Sequence, residues 1–474
     1  MKVLFVTSES FPFSGTGGLG EVSGALPRAL RGQRIAARVV LPLYGGTAPE
    51  YRNAMKYITS FYVPVAWRNQ YCGVYEYTYG GVKHYFIDNE YYFKREGLYG
   101  YFDDAERFAF FCRAVLEMFN RIDFFPQILH CNDWQTSLVP VYLDLYYRDK
   151  RKYYGIKTLT TIHNIQYQGK YYMDIAEDVL GIGKPQQYVI EYNNSLNLLK
   201  GAITASDRVS AVSPSYAKEI LDPWYAHGLD PLLKDNAFKI RGILNGIDTV
   251  IYNPDSDSNI EANYSANDLA GKSRCKESLL EEFSLSSGNE PVIGIVSRLV
   301  AHKGFDLIVH MLEYILFSGM KVVVLGAGEY DYENIFTEYA ARYPDRLGLR
   351  LGFYPKLAHR IYAGSDMLLM PSKSEPCGLS QMIALRYGSI PIVRETGGLK
   401  DTITDCGDSD GNGFTFKSYN AHDMFDACLR AKASYEDKDL WAGLVKRAMR
   451  CDNSWKKAAK KYVELYNEML DLWE

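Results

Sequence analysis

Arg298 and Lys303 lie in Ser297-Arg298-Leu299-Val300-Ala301-His302-Lys303-Gly304, between an apolar β-branched run (292–296) and a helical pattern from 305. Two cations on a strand-to-helix loop either hold a diphosphate and neutralise the charge that appears as it leaves, or are simply solvated at the surface. A second such loop, Pro371-Ser372-Lys373-Ser374-Glu375-Pro376-Cys377-Gly378-Leu379-Ser380, sets Glu375 just ahead of a helix whose first N–H groups, at Gly378 and Leu379, have no helical partner. Glu375 there either hydrogen-bonds sugar hydroxyls or caps the helix. Gly15-Thr16-Gly17-Gly18-Leu19-Gly20-Glu21 follows the run 3–7 and is either an anion loop, with backbone N–H groups free to approach a phosphate, or a plain tight turn. Thr396-Gly397-Gly398-Leu399 repeats its Thr-Gly-Gly-Leu in the second half. Two such loops suggest anion contacts from both halves.

His130 and His163 close two further apolar runs, beside Asp133, Trp134 and Asn164. Together they read as a polar sugar pocket with an aromatic platform, although a lone strand-end histidine is more often structural. No H-x-x-x-H or H-E-x-x-H spacing occurs, so a metal site is not expected. Val324-Leu325-Gly326-Ala327-Gly328-Glu329 lacks the third glycine of a dinucleotide fingerprint, which disfavours a nicotinamide oxidoreductase.

The elements that must carry these residues are short apolar runs alternating with amphipathic helices, the pattern of parallel α/β sheets. Runs 3–7, 37–41, 82–87, 127–130 and 158–163 predict strands in the first half, with helices over 104–119 and 136–147. The alternation restarts with strands at 292–296, 322–325, 349–352, 367–370 and 390–393 and helices at 305–317, 379–387 and 422–433. Dense turn chemistry from Asn245 to Ser258 marks a linker between them. The expectation is two Rossmann-like domains, 1–246 and 247–454, facing one cleft, with a terminal amphipathic helix over 456–472.

Composition narrows the partners. A chain of 474 residues needs more than one core. Its net charge of −4, with lysines clustered only in stretches such as Lys456, Lys457, Lys460 and Lys461, argues against a nucleic acid. The eight cysteines are dispersed without a C-x-x-C pair, as expected of reduced cytoplasmic thiols. No apolar run is long enough for a signal or a membrane span, so the expected location is the cytoplasm. The 39 tyrosines suit carbohydrate contact but also any core.

With these motifs in order, the chain resembles the bacterial glycogen synthase and plant starch synthase family, of two-domain GT-B architecture. Matching stretches are 16–19, 130–134, 161–169, 206–214, 242–248, 297–304, 371–379, 385–388 and 396–399. The strings Glu375-Pro376-Cys377-Gly378-Leu379 and Gly242-Ile243-Leu244-Asn245-Gly246-Ile247-Asp248 are the most specific. The resemblance implies retaining transfer of glucose from ADP-glucose, or less often UDP-glucose, to the non-reducing end of an α-1,4-glucan (glycogen, starch or a maltooligosaccharide), without a metal or other cofactor. It implies catalytic roles for Glu375, Arg298, Lys303 and His163. Donor contacts would come from Thr16, Gly17, Gly18, Asn245, Phe353, Cys377, Gly378, Leu379, Thr396 and Gly397, with Phe353 stacking on the base. His130, Asp133 and Trp134 would line the acceptor side. The last helix, 455–474, would cross back onto the first domain, and Asn245–Asp248 would hinge it to the second.

One position departs from the family. Lysine usually precedes Thr-Gly-Gly-Leu, and here the residue is Gly15. A non-catalytic glucan-binding protein on a transferase fold is therefore the alternative of a different class. The intact Arg298, Lys303 and Glu375 favour an enzyme. Sucrose- and trehalose-type synthases are disfavoured by the Glu375–Leu379 string and by the first-half matches.

Overall fold

The structure, a computed structural model, describes residues 1–407 and 410–471. The chain forms two compact units, Met1–Asn245 with Trp455–Glu474, and Gly246–Ser454.

The first unit is built on β1 (Lys2–Val6), β2 (Ala36–Pro42), β3 (Lys56–Val65), β4 (Arg68–Tyr79), β5 (Val82–Asp88), β6 (Ile128–Asn132) and β7 (Lys157–Ile162). The short strands β8 (Lys170–Tyr171), β9 (Glu191–Tyr192) and β10 (Ser195–Asn197) make a separate antiparallel sheet, and β11 (Arg208–Ala211) and β12 (Ile240–Gly242) complete the main one. Its order is β12-β11-β7-β6-β1-β2-β5-β4-β3. Neighbours from β12 to β5 run parallel, and β5-β4-β3 is an antiparallel meander at the edge.

Central β1 has an apolar run because both of its faces are covered. Val3 and Phe5 pack in one core with Leu26 and Leu30 of the helix Gly18–Gly32, and Leu4 and Val6 pack in the other with Phe110 and Val115 of Asp104–Met118. The helix Trp455–Asp471 joins the first of these cores. Its Trp455, Ala458, Ala459, Tyr462, Leu465, Tyr466 and Met469 are buried at helical spacing. The predicted residue 472 of this helix lies outside the described residues.

Two expectations need correction. The β3–β4 hairpin lies outside the predicted strands: its tyrosines share one face (Tyr57 opposite Tyr75, Tyr62 opposite Tyr71), but the bulge between Tyr57 and Thr59 shifts the period-two pattern within β3. Residues 136–147 are not one helix. A 3-10 turn, Trp134–Thr136, is followed by a helix, Leu138–Tyr142, and a π-helical stretch, Leu143–Tyr147. Pro140, which lacks an N–H, sits within this segment.

The second unit has one parallel sheet of β13 (Val292–Val296), β14 (Lys321–Gly326), β15 (Leu347–Leu351), β16 (Met367–Met370), β17 (Ile390–Arg394) and β18 (Phe414–Phe416). The order β15-β14-β13-β16-β17-β18 reverses direction between β13 and β16, as the first sheet does between β1 and β6. Parallel sheets bind ligands at the carboxyl ends of the strands on either side of such a reversal. The loops in question follow β13 and β16 in one unit and β1 and β6 in the other. The chain enters the second unit at Gly246 and leaves it at Ser454, side by side: Ile247 bridges to Ser454, and its N–H donates to Asn453 O (2.8 Å). Among the described residues no helix is long and apolar enough to cross a membrane.

Candidate functional site

In the second unit the two loops at the reversal are locked together. Gly304 ends the β13 loop at φ +81°, and a Cβ there would lie 2.2 Å from Pro371 O, so only glycine admits this approach. The Lys373 N–H donates to His302 O (2.9 Å), a second stitch between the loops. Across this junction the Lys303 ammonium donates to Glu375 Oε2 (2.6 Å), which also accepts from the Ser372 hydroxyl (3.0 Å). Glu375 is buried, and its other carboxylate oxygen has no protein partner among the described residues. From the opposite side Gly397, at φ +45°, brings the next loop against Glu375: a Cβ there would stand 2.0 Å from Glu375 O. The Gly398 N–H donates to the same oxygen (3.1 Å). Glu375 is thus fixed by three loops, and Ser372 is a supporting group that the sequence did not single out.

Arg298 is exposed, and its guanidinium makes no ion pair or hydrogen bond among the described residues. His302, between the two cations in the chain, is held below its usual pKa by burial first and then by Lys303 and Arg298. The loop thus carries two cations, Lys303 paired with Glu375 and Arg298 with an unpaired guanidinium, while Glu329 accepts from the Ala301 N–H (3.3 Å); the open guanidinium is the group suited to an anionic ligand. Phe353 is 87% exposed at the end of β15, just after Gly352 at φ +126°. A ring held that far into water can stack on a flat ligand. Gly378 and Leu379 are partly exposed just before the short helix Ser380–Arg386, and Cys377 is buried beside them. Gly397 is also buried. Thr396 is fully buried, and its N–H donates to Arg394 O (2.9 Å), so a phosphate contact at this residue would fall to its hydroxyl.

In the first unit Thr16, Gly17 and Gly18 are exposed, and a Cβ on either of these glycines would meet nothing within 4 Å. Gly17 precedes the helix Gly18–Gly32 without any side-chain cap, leaving first-turn N–H groups without a capping partner. The loop is held by Glu9, which the sequence reading did not select. The Thr16 N–H donates to Glu9 Oε2 (2.7 Å), and Oε1 accepts from the Thr16 hydroxyl (2.8 Å) and the Tyr99 hydroxyl (2.7 Å). The signal available in the sequence is a lone carboxylate directly after the apolar run of β1.

Gly15 is packed, not merely lacking a side chain. A Cβ there would come within 2.9 Å of the Phe11 ring, which is itself 38% exposed and free to yield. Gly15→Ala thus measures the steric cost, expected at about 1 kcal/mol, and Gly15→Lys adds the missing cation. We expect the lysine variant to lower the donor KM severalfold relative to the alanine variant in steady-state assays, about the effect of one charged hydrogen bond. Equal donor kinetics in the two variants would show that the cation is irrelevant here.

Asp133 follows β6 at φ +56°, ψ −174°, a region almost restricted to glycine. It is held there by accepting from the His163 N–H (2.7 Å) and the Asn164 N–H (3.4 Å). Burial pushes its pKa up to about 7 against these two donors. An unfolded aspartate titrates near ~4, so the native state favours the protonated form. The resulting stability is complete below about pH 4 and is lost as pH rises to about 7. Asp133→Asn keeps the acceptor and removes the titration. Its melting temperature should rise relative to the parent between about pH 5 and 8; parallel melting curves would count against the shifted carboxyl.

His163 is partly buried. Its Nε2 lies 2.9 Å from Asn132 Oδ1, and burial lowers its pKa to about 3, so the ring is neutral. His130 is a correction. β6 continues to Asn132, so His130 lies inside the sheet, 1% exposed, with Nδ1 paired to the Tyr466 hydroxyl (2.8 Å) and Nε2 to Thr161 Oγ1 (2.6 Å). Both ring nitrogens are committed to the core under the last helix, and neither can meet an acceptor. Trp134 is half-buried, packed edge-on to Phe108 (5.3 Å) and beneath Gly169. Asn245 closes the first unit, buried, with an Oδ1 that has no partner among the described residues. No cluster of three or more His, Cys, Asp or Glu side chains able to hold a metal ion occurs among the described residues.

Residues 2–235 match the starch synthase catalytic domain family, and residues 278–442 match the glycosyl transferases group 1 family. The chain is 49% identical to the glycogen synthase of Desulforamulus reducens over 475 residues, covering 99% of each. It is also 49% identical to that of Clostridium acetobutylicum over 477 residues, covering 99% of this chain and 100% of the relative. The solved catalytic domain of starch synthase IV from Arabidopsis thaliana superposes with a TM-score of 0.91 at 33% identity over 99% of both chains. Sucrose-phosphate synthase from Thermosynechococcus elongatus shares the fold, with a TM-score of 0.63 at 15% identity. With two Rossmann-like units on the GT-B plan and sequence identity maintained from end to end, the chain belongs to the glycogen synthase and starch synthase family of glycosyltransferases.

Proposed function

We propose that this glycosyltransferase extends an α-1,4-glucan at its non-reducing end with glucose from ADP-glucose, retaining the anomeric configuration. The observation that carries the reading is the exposed, unpaired Arg298 guanidinium on the same loop as the Lys303–Glu375 pair, at the reversal point of a Rossmann-like sheet. The starch synthase IV structure, with ADP and acarbose bound, supports a nucleotide and a glucan-like ligand for this chain too. Arg298 and Lys303 take the diphosphate, Phe353 stacks on the base, and the Gly17–Gly18 loop offers N–H groups to the phosphates. Glu375 and His163 hold the donor glucose, and Asp133 and Trp134 face the acceptor. The bond from the anomeric carbon to the phosphate oxygen breaks, and the acceptor hydroxyl attacks on the same face. Its proton passes to the departing phosphate oxygen, so the products are ADP and a glucan longer by one residue. Charge neutralisation by two cations on one strand-to-helix loop makes the diphosphate a competent leaving group without a metal. Eight dispersed cysteines, none in a disulfide, are in keeping with a cytoplasmic enzyme.

The test is incorporation of labelled glucose into glycogen or maltooligosaccharide, comparing ADP-glucose with UDP-glucose in the presence of EDTA. Chelator-resistant growth, faster with ADP-glucose, is expected. Faster growth with UDP-glucose would overturn the donor assignment. Glucan binding without turnover of either donor would select the non-catalytic reading that Gly15 raises.

A further inference from the structure

Asn132 is the last residue of β6, fully buried, and its side chain spans from β1 to the residue after β7. Its Nδ2 lies 3.0 Å from Val6 O and 3.2 Å from His130 O. Both are carbonyl oxygens, which only accept, so the amide has one workable orientation: NH2 toward the two carbonyls and Oδ1 toward His163. Oδ1 is likewise only an acceptor, so His163 Nε2, at 2.9 Å, must carry the proton and donate it. The ring is neutral, because burial holds its pKa near 3. Its second nitrogen, Nδ1, then has a bare lone pair, with no partner among the described residues.

We infer that Asn132 is a positioning residue that locks His163 in the Nε2–H tautomer, so that His163 meets the substrate sugar at Nδ1 as a hydrogen-bond acceptor and never as a proton donor. The chain of constraint runs from the carbonyls of Val6 and His130 through the Asn132 amide and the imidazole to a hydroxyl of the ligand. Such a lock favours a ligand that presents a hydroxyl proton at this point. It also removes His163 from any acid role, in keeping with a leaving phosphate that takes the acceptor's own proton. The inference rests on the proposal that His163 contacts the donor sugar, but the tautomer can be measured without turnover.

The experiment is long-range 1H–15N NMR on the full chain labelled with [15N]histidine, with the His163 signals assigned by their loss in His163→Gln. The parent at pH 7 should show one Nε2–H tautomer at His163. An Nδ1–H form, a tautomer mixture or an imidazolium would overturn the lock. Asn132→Leu, similar in size but unable to accept, should release the tautomer and lower kcat/KM for the donor roughly tenfold, the effect of one lost hydrogen bond. His163→Gln added to Asn132→Leu should then cost little more, whereas additive losses would make Asn132 a merely structural residue and refute the coupling. Should Asn132→Leu fail to fold, the parent spectrum alone still decides the tautomer. A confirmed tautomer in an enzyme whose kinetics ignore His163→Gln would leave the lock standing and remove the sugar contact instead.

Discussion

Arg298→Ala is expected to lower kcat/KM for the nucleotide-sugar about 10²–10³-fold while leaving the melting temperature nearly unchanged. Removing one preorganised group that stabilises transition-state charge typically has that kinetic effect, about 3–4 kcal/mol. The thermal expectation follows from the structure. The exposed guanidinium has no protein partner among the described residues, so its loss leaves nothing unpaired.

Lys303→Ala should lose activity to a similar degree and also lose stability. Its ammonium is the ionic partner of Glu375 at 2.6 Å, and the two side chains are 19% and 7% exposed. Without it the carboxylate keeps only the Ser372 hydroxyl, and a nearly buried charge is left uncompensated. Fully buried pairs broken from one side cost about 3–5 kcal/mol. The partial exposure of Lys303 discounts this to about 1–3 kcal/mol, a fall of several degrees. Kinetics and calorimetry on the two alanine variants separate the roles. Equal melting temperatures would mean that the Lys303–Glu375 pair is not structural, and unimpaired donor kinetics in either variant would remove that cation from the diphosphate site.

Much of this arrangement was legible in the sequence, for a physical reason. Strand-to-helix loops announce themselves by an apolar run, a glycine and a helical period, so Arg298, Lys303, Glu375 and the Gly17–Gly18 turn could be placed at carboxyl ends of strands from local pattern alone. What stayed hidden depends on neighbours distant in sequence. Glu9 matters because Thr16 and Tyr99 converge on it, and Asn132 because Val6 and His163 do. His130 shows the opposite error. The polar string after Leu129 looked like a strand end, but β6 runs on to Asn132, which leaves the histidine beneath Tyr466. Thr396 repeats the first loop's motif yet is buried, whereas Thr16 is exposed, so a shared string did not carry a shared environment.

Glu375→Gln should leave donor KM within about threefold and lower kcat about 10²-fold or more, the signature of a group that acts on the transition state rather than on binding. The substitution is nearly isosteric, so the Gly397 and Gly398 contacts to the Glu375 carbonyl survive, and the amide oxygen can still accept from Lys303 and Ser372. What disappears is one negative charge held in a buried position by three loops. On the proposed reaction, positive charge builds at the anomeric carbon as the bond to the diphosphate lengthens, and a fixed carboxylate nearby would stabilise it. A carboxylate that only gripped a sugar hydroxyl would behave differently: the amide would replace it at modest cost, and the loss would fall on KM. Glu375→Asp sharpens the contrast, since it keeps the charge but withdraws it by one methylene from a position set to within ångströms, and should recover part of kcat relative to Glu375→Gln. A variant series in which KM rises and kcat holds would assign Glu375 to donor binding alone and leave Arg298 and Lys303 with the whole of the electrostatic work.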